Sequence, residues 1–300
     1  MLSMLNKCKL CPRECNVNRL NGELGFCKSS DKVIISRASL HLFEEPCVSG
    51  TKGSGTVFFS NCNLSCVFCQ NHCISQEGLG MEVSIDRLSN IFLKLQEKGA
   101  SNINLVTPTH YVPQIIESLI LAKSKGLSIP ILYNSNGYDS LDTINALDGY
   151  IDVYLPDLKY FNSKYSLKYS KSKDYFEKAS IAIKEMYNQV GKVKFDENGL
   201  IKKGVIIRHL MLPGLLFDSK KIIDFIYNSF KDDVYISIMN QYTPMFKASN
   251  HEEINRPLNP LHYDTLINYA LDLGITNAFI QGSGSDSKDF VPDFKSFIGL

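Results

Sequence analysis

Short apolar runs alternate with longer amphipathic periods over most of this chain. Within each run, apolar side chains occupy successive positions, so both faces of a strand built from it would be apolar. Strands buried on both faces are typical of parallel sheets covered by helices. The predicted strands are TVFFS (56–60), NINLV (102–106), PILY (130–133), DVYL (152–155), VIIRHL (205–210), VYISIM (234–239) and NAFIQ (277–281).

The intervals between these runs mostly have the period of helices. In residues 84–99 the apolar side chains fall on one helical face, with Ser84 as a suitable N-cap and Gly99 as the end. In KFDENGLI, the Asn198-Gly199 dipeptide instead predicts a hairpin with a two-residue turn. About six or seven strand–helix units follow one another, which favours a complete or partial (β/α) barrel of parallel strands over two domains.

The first 50 residues do not share this alternation. They are rich in cysteines and turns and short of helical periods, which is typical of a small segment stabilised by bound metal. We therefore predict a Cys-rich metal-binding segment over residues 1–50 and a (β/α) barrel over residues 51–300.

Charge and hydropathy exclude two classes of partner. With 32 basic and 31 acidic side chains the formal net charge is +1, without the broad basic surface that nucleic acids or anionic membranes need. No apolar run approaches the roughly 18 residues of a membrane span, and the N-terminal residues lack the pattern of a signal peptide. We expect a cytoplasmic protein that binds neither nucleic acid nor membrane.

The nine cysteines fall mostly into two groups. Disulfides are rare in the reducing cytoplasm, so groups with short spacings there indicate metal sites. The first group is Cys8, Cys11, Cys15 and Cys27, the second is Cys62, Cys66, Cys69 and Cys73, and Cys47 stands alone.

The second group directly follows the first predicted strand, at the end where parallel barrels build their active sites. Cys62, Cys66 and Cys69 have the spacing C-x3-C-x2-C. Three thiolates can hold an iron–sulfur cluster and leave one iron open, because a saturated 4Fe-4S cluster takes four cysteines. Cys73 could supply a fourth ligand, and a closed zinc or ferredoxin-type site is the alternative interpretation.

At these residues the sequence resembles the radical S-adenosylmethionine superfamily, whose signature is C-x3-C-x2-C with an aromatic residue, here Phe68, before the third cysteine. The run VFFSNCNLSCVFCQN resembles the glycyl-radical-enzyme activases, such as pyruvate formate-lyase activating enzyme. The strings LCPRECNVNR, EEPCVSG, NINLVTPTHYVPQI, YLPDLKY and RHLMLPG extend the resemblance over nearly the whole chain, to a group of proteins described as related to that activase.

The resemblance implies an enzyme with two cofactors. Cys62, Cys66 and Cys69 would hold a 4Fe-4S cluster, and S-adenosylmethionine would chelate the open iron. An electron from a flavodoxin- or ferredoxin-type donor would cleave S-adenosylmethionine to a 5′-deoxyadenosyl radical that abstracts hydrogen from a substrate. That substrate would be a glycyl radical enzyme or a small molecule. A non-catalytic iron–sulfur electron carrier or zinc-stapled scaffold is the competing hypothesis.

The resemblance also implies cofactor-binding residues in the loops that follow the strands. Where the superfamily usually has Gly-Gly-Glu to receive the cofactor's amino group, this chain has Thr107 and Thr109 and no carboxylate. Threonine hydroxyls can still accept hydrogen bonds from an ammonium. Asn134 and Asn136 stand where the activases have Asp-Thr-Asn-Gly, so this loop keeps its polar capacity and loses a charge.

Three charged residues match the activases more closely. Asp157 and Lys159 correspond to an Asp-Leu-Lys run, and Lys159 is suited to the cofactor's carboxylate. Arg208 matches an arginine at the equivalent strand, and its fixed charge could pair with the same carboxylate. An ordinary surface ion pair is the alternative for Asp157 and Lys159.

Two further groups stay open at this level. Cys8, Cys11, Cys15 and Cys27 supply enough thiolates for either a structural zinc ion or a second iron–sulfur cluster. The stretch HLFEEP (41–46) is either a solvated acidic turn or a carboxylate pair that binds substrate.

His110 and His209 are equally suited to a structural role and to acid–base chemistry. The glycine-rich run at residues 282–287 predicts a flexible tail.

Overall fold

The computed structural model describes residues 1–282 and Phe294. Strands and helices alternate through most of this part of the chain. The strands are β1 Val33–His41, β2 Ser54–Phe59, β3 Met81–Val83, β4 Ile103–Val106, β5 Ile131–Ser135, β6 Val153–Pro156, β7 Lys194–Phe195, β8 Ile201–Leu210, β9 Tyr235–Met239 and β10 Ala278–Ile280. The α-helices are α1 Pro46–Ser49, α2 His72–Ser75, α3 Ile85–Glu97, α4 Val112–Ser124, α5 Leu141–Ala146, α6 Ser163–Ser170, α7 Tyr175–Val190, α8 Leu216–Phe230 and α9 Pro260–Asp272.

The strands form one mostly parallel sheet. Its order is β10-β9-β8-β6-β5-β4-β2-β1-β3, and every neighbouring pair from β10 to β2 is parallel. Within residues 1–282 no pairing joins β3 to β10, so the described sheet is an open arc. The predicted parallel (β/α) architecture is confirmed in its partial form.

Helix boundaries follow the local sequence signals. The Ser84 side chain accepts a hydrogen bond from the backbone N–H of Arg87, which caps α3 as predicted. Gly99 lies just beyond the helix in the left-handed region, at φ 83°. Helices α5 and α6 occupy stretches for which the apolar pattern predicts no helix, and each begins at a side-chain cap, Ser140 and Asn162 respectively.

The predicted hairpin is present but has a longer turn. Strand β7 pairs antiparallel with β8, and the backbone N–H of Asp196 donates to the Leu200 carbonyl across three loop residues. Gly199 has φ 75°, whereas Asn198 does not lie in the left-handed region. A three-residue loop with glycine last needs one left-handed residue where the predicted two-residue turn needs two.

Residues 33–50 join the main sheet. Strand β1 runs antiparallel to β2, with Arg37 opposite Phe58 and His41 opposite Ser54. The sequence analysis does not predict this strand, because polar side chains interrupt the apolar run of β1. The division at residue 50 stays a prediction, and the structure shows that β1 pairs across it.

The segment after β1, residues 42–50, closes the amino-terminal end of the sheet. Asn102 Nδ2 donates to the Val48 carbonyl at 2.7 Å, immediately before β4 begins. Cys47 and Val48 pack against Leu132, Val153, Leu155, Ile201 and Ile206, the side chains that β5, β6 and β8 turn away from the helices. We call residues 42–50 the plug segment. Cys47 is therefore a buried packing residue of this plug.

Gly137, in the loop after β5, allows that loop to pack on the end of β6. Its φ is 77°, and a Cβ at this position would lie 2.2 Å from the Asp157 carbonyl oxygen. That contact is far below van der Waals distance and involves backbone, so a neighbouring loop would have to move. Glycine is thus required at Gly137 for both its φ and its space.

We predict that Gly137→Ala lowers the free energy of unfolding by about 3 kcal/mol, the sum of left-handed strain and overpacking. Gly149 is the matched control, because its φ is 78° and nothing lies within 4 Å of a Cβ there. Gly149→Ala should cost about 1 kcal/mol. Urea unfolding of the two variants makes the comparison, and equal losses would contradict the close approach at Asp157.

Candidate active site

A cavity of about 520 Å³ opens at the carboxyl ends of the parallel strands. Its volume lies within the range of pockets that bind small molecules and cofactors. Apolar side chains form much of its wall, and the polar groups of several loops converge on it. The predicted site residues that line it are Cys62, Cys66, Phe68, Cys69, Thr107, Asn134, Asn136, Asp157, Lys159 and Arg208.

The three thiols of the second cysteine group lie on one side of this cavity. Each sulfur has a polar neighbour: Leu64 N–H lies 3.4 Å from Cys62 Sγ, Ser170 Oγ 3.0 Å from Cys66 Sγ, and Ser75 Oγ 3.2 Å from Cys69 Sγ. Burial, together with the nearby Cys66, raises the pKa of Cys62 to about 12 and that of Cys69 to about 11. Buried thiols that disfavour each other's ionisation are suited to a site where bound metal supplies positive charge.

The donor set fits an iron–sulfur cluster. Thiolates are the usual ligands of such clusters, and polar groups around the sulfurs tune their potential. Among the described residues, no group of three His, Cys, Asp or Glu side chains is drawn together tightly enough to hold a single metal ion. Cys62, Cys66 and Cys69 would hold the cluster.

Cys73 does not line the cavity. Its side chain packs with Phe58, Ile74, Val106 and Phe294 in a small apolar cluster. Within residues 1–282 and Phe294, therefore, the cavity is lined by three cysteine thiols.

Asn136 lines the cavity, but its amide group is engaged with the cysteine loop. Asn136 Nδ2 donates to Cys62 Sγ at 3.3 Å and to Asn63 Oδ1 at 2.7 Å, and its Oδ1 accepts from the Tyr138 N–H. The side chain thus positions the loop that carries Cys62. Its contact with the cofactor stays a prediction, and it would use hydrogen-bonding capacity of the amide that these three bonds do not occupy.

A buried carboxylate that the sequence did not reveal joins the loops after β4 and β5. Asp139 accepts hydrogen bonds from the hydroxyls of Thr109 (2.7 Å), Tyr133 (2.8 Å) and Ser135 (2.7 Å). Burial raises the pKa of Asp139, and the hydroxyl donors lower it in part. Thr109 is fully buried and does not line the cavity, so the structure does not place it as the predicted cofactor ligand. Tyr133 and Ser135 lie in β5, close to Asp139 in the sequence, whereas Thr109 comes from the loop after β4, a contact that the sequence does not reveal.

Backbone strain collects beside the cavity. Thr107 has φ 60° and Asn61 has φ 72°, both in the left-handed region. For a β-branched residue such as Thr107 this conformation costs about 1–3 kcal/mol and is typical of functional loops.

Asp157 and Lys159 form an ion pair inside the cavity rather than on the surface. Their side chains are 22% and 16% exposed, and Lys159 Nζ lies 2.5 Å from Asp157 Oδ2. Burial acts to lower the pKa of Lys159, but the Asp157 carboxylate and the Cys66 thiolate together raise it. Lys159 therefore stays charged beside the cysteine loop.

Arg208 also lines the cavity, and its guanidinium is already paired. Its Nε donates to Glu45 Oε1 at 3.0 Å, and its Nη2 donates to both Glu45 and Glu44. Burial acts to lower the pKa of Arg208, while the two carboxylates raise it. The predicted pairing of Arg208 with a cofactor carboxylate must therefore compete with the plug segment. The carboxylates of HLFEEP are not a solvated turn, since both are nearly buried.

His110 and His209 are structural. Burial lowers the pKa of His110 to about 3 and that of His209 to about 4, so both rings are neutral near pH 7. His110 Nε2 donates to the Ser60 carbonyl, and His209 Nδ1 donates to the Leu158 carbonyl. Neither ring lines the cavity. His41 does line it, and burial lowers its pKa as well.

The four cysteines of the first group line a second, small cavity of about 20 Å³. Burial raises the pKa of Cys11, and the charges of the other three cysteines raise it further. The Phe26 N–H lies 3.3 Å from Cys15 Sγ, and a Cβ on Gly25 would lie 2.8 Å from the same sulfur. The fold thus brings together four thiols that are separated by up to 19 residues in the sequence.

Two arginines join this N-terminal group to the barrel. Arg13 Nε donates to the carbonyl of Asn63, the residue that follows Cys62, at 3.1 Å. Arg19 is almost fully buried, and its Nη1 donates to the His110 carbonyl at 2.6 Å. The N-terminal cysteines are therefore coupled mechanically to the cysteine loop of the large cavity.

In the part of the chain that the structure describes, no helix is long and apolar enough to cross a membrane.

Comparison with known proteins agrees with this geometry. The family model of the Radical SAM superfamily matches residues 56–226. The uncharacterized protein MJ0674 of Methanocaldococcus jannaschii is 33% identical over 266 residues, which cover 85% of this chain and 72% of that protein.

Solved structures show the same fold at low identity. Streptococcus suis SuiB bound to S-adenosylmethionine has a TM-score of 0.53 and 17% identity, over 75% of this chain and 49% of SuiB. The FeFe-hydrogenase maturase HydG from Carboxydothermus hydrogenoformans has a TM-score of 0.51 and 14% identity, over 73% of this chain and 50% of HydG. The chain thus spans about half the length of these structures. Together with the family match, the cysteine loop at the end of β2 shows that this chain belongs to the Radical SAM superfamily.

Proposed function

We propose that this protein cleaves S-adenosylmethionine reductively in the large cavity and uses the product radical on a further substrate. When bound, a 4Fe-4S cluster on Cys62, Cys66 and Cys69 supplies the electron that converts S-adenosylmethionine to methionine and a 5′-deoxyadenosyl radical. That radical abstracts hydrogen from the substrate. The observation that carries the proposal is that three thiols line the cavity, while Cys73 does not line it and packs in the neighbouring apolar cluster.

The chain's own residues would hold charge and exclude water. Lys159 keeps a positive charge near Cys66 and Cys69, which favours their thiolate forms. The apolar part of the wall shields the site from solvent, which strengthens every charge interaction inside it. Its apolar members include Phe59, Leu64, Phe68, Ile74, Leu210 and Met239.

Asp157, Lys159, Thr107 and Asn134 are the residues that we propose bind the polar groups of S-adenosylmethionine. All four line the cavity beside the thiols. Lys159 donates to carboxylates, whereas Asp157 and the threonine hydroxyl accept from amino and ribose groups. The Asp157–Lys159 pair would have to open or share its charges when the cofactor binds.

For the substrate we propose a peptide or protein. SuiB has a TM-score of 0.54 to this chain in a structure bound to its precursor peptide, SuiA. Leu42 of the plug segment also lines the cavity and is 56% exposed, so it could pack against a peptide. A glycyl radical enzyme is one such substrate, and its support is the sequence resemblance alone. We further propose a flavodoxin- or ferredoxin-type electron donor and a cytoplasmic setting.

Single alanine variants of Cys62, Cys66 and Cys69 should lose the iron–sulfur cluster and all 5′-deoxyadenosine formation. Cys73→Ala is the matched control and should keep about four irons per cluster and full cleavage, because three cysteines hold the cluster and leave one iron to the cofactor. The assay is anaerobic reconstitution, reduction with dithionite, and chromatography of the nucleoside product. Loss of the cluster in Cys73→Ala would instead favour a saturated, non-catalytic site.

Asn136→Ala should lower the reduction potential of the cluster, because it removes the N–H donor to Cys62 Sγ that stabilises the more electron-rich state. Asn134→Ala is the control, since Asn134 lines the same cavity and no hydrogen bond from its side chain to a cysteine sulfur is found among the described residues. Redox titration without S-adenosylmethionine gives the two potentials. An unchanged potential in Asn136→Ala would contradict the assignment.

We propose that Cys8, Cys11, Cys15 and Cys27 bind a second metal, either zinc or an iron–sulfur cluster. The double variant Cys8→Ala, Cys11→Ala should therefore lose one full metal complement while the cluster at Cys62 is retained. Elemental analysis for zinc and iron identifies which metal leaves. Identical zinc and iron contents in the variant and the parent would show that these thiols bind no metal.

A further inference from the structure

Glu44 brings a carboxylate into the large cavity from outside the parallel strands. It lies in the plug segment, lines the cavity, and its side chain is 11% exposed. Glu44 Oε2 accepts from Arg208 Nη2 at 2.6 Å, and Glu44 Oε1 accepts from Asn104 Nδ2 at 2.9 Å. The carboxylate is therefore fixed in place from both the β8 side and the β4 side of the sheet.

The charges around Glu44 do not balance. Arg208 pairs with Glu45 through both Nε and Nη2, which is the bidentate geometry that best satisfies a guanidinium. Burial acts to raise the pKa of Glu45, but Arg208 lowers it, so Glu45 is ionised. Glu44 shares Nη2 with that pair, and the three side chains together hold two carboxylates and one cation. The second ion pair of the cavity, Asp157 with Lys159, is already neutral.

A second acceptor lies beside this excess negative charge. Asn104 is fully buried, and with its Nδ2 turned to Glu44 its Oδ1 has no donor among the described residues. A buried carbonyl oxygen without a donor costs about 1–3 kcal/mol. Asn104 does not line the cavity, so a ligand in the cavity would meet the under-compensated carboxylate of Glu44 and not the Asn104 oxygen.

The loop after β4 cannot supply this negative charge itself. Thr107, Pro108, Thr109 and His110 carry no carboxylate, and the hydroxyl of Thr109 is committed to Asp139. Asp157 is paired with Lys159. Glu44 and Asp157 are the carboxylates among the described side chains that line the cavity, and they differ in compensation: Asp157 pairs with Lys159, whereas Glu44 shares Arg208 with Glu45.

We infer that Glu44 is a specificity residue that binds a primary ammonium group in the large cavity, held in place there by Arg208 and Asn104. This inference rests on the proposed function, which places the cofactor and the substrate in the large cavity. Two ligands could provide this ammonium group. One is S-adenosylmethionine, through its amino group, and the other is the substrate, for example through a lysine side chain of a peptide.

The test compares Glu44→Gln with Glu45→Gln. Both changes remove one carboxylate charge next to Arg208 and preserve size, but Glu45 does not line the cavity. Calorimetry on the anaerobic, cluster-loaded protein measures binding of S-adenosylmethionine and of its deaminated analogue. Ligand-observed nuclear magnetic resonance measures binding of n-butylamine against n-butanol, with and without the cluster. Thermal unfolding checks that both variants are folded.

If the cofactor supplies the ammonium, Glu44→Gln weakens S-adenosylmethionine binding about tenfold or more and leaves the deaminated analogue unchanged. If the substrate supplies it, cofactor binding stays unchanged and Glu44→Gln abolishes the preference for n-butylamine over n-butanol. In either case Glu45→Gln has a smaller effect on the same ligand.

The inference is overturned if Glu44→Gln changes neither preference, or if Glu45→Gln has an equal effect, since Glu44 would then act through Arg208 alone. The amine arm needs neither cluster nor turnover. Its result therefore separates a failure at Glu44 from a failure of the proposed S-adenosylmethionine cleavage.

Discussion

The parallel register from β2 to β8 is the constraint on which the site depends. Parallel strands place all their carboxyl ends at one edge, so loops that are far apart in sequence meet there. The pairing of Phe58 with Val106, Val106 with Asn134, and Asn134 with Leu155 aligns these ends step by step. The cysteine loop after β2 therefore faces Asn134 and Lys159 across a single cavity.

The interior of this arc contains buried ion pairs as well as packed apolar side chains. Breaking a buried ion pair by removing one partner costs about 3–5 kcal/mol, because the remaining charge is left unpaired. Arg208 is held by Glu44 and Glu45 from the plug segment, so the N-terminal part of the chain completes the barrel interior. Together with Arg13 on the Asn63 carbonyl, this makes residues 1–50 part of the site's support rather than a detached appendage.

Much of the fold and the thiols that line the cavity could be predicted from sequence because their signals are local. Apolar runs of four to six residues predict buried strands, the Ser84 cap predicts the start of α3, and the spacing of Cys62, Cys66 and Cys69 indicates the cluster loop. Strand β1 was missed because its polar side chains break the apolar run. Long-range pairings were also beyond reach: the partners of Arg208 lie more than 160 residues away. The hydrogen bond from Thr109 to Asp139 likewise joins residues 30 positions apart, which no local spacing reveals.

An open iron at a cluster held by three cysteines should be visible in the electron paramagnetic resonance spectrum of the reduced protein. The spectrum of the dithionite-reduced, reconstituted protein should be recorded before and after addition of S-adenosylmethionine. We expect a 4Fe-4S signal whose g-values shift when the cofactor is added, because the cofactor's amino and carboxylate groups would become ligands of the open iron. A 4Fe-4S signal that is identical with and without S-adenosylmethionine would contradict it.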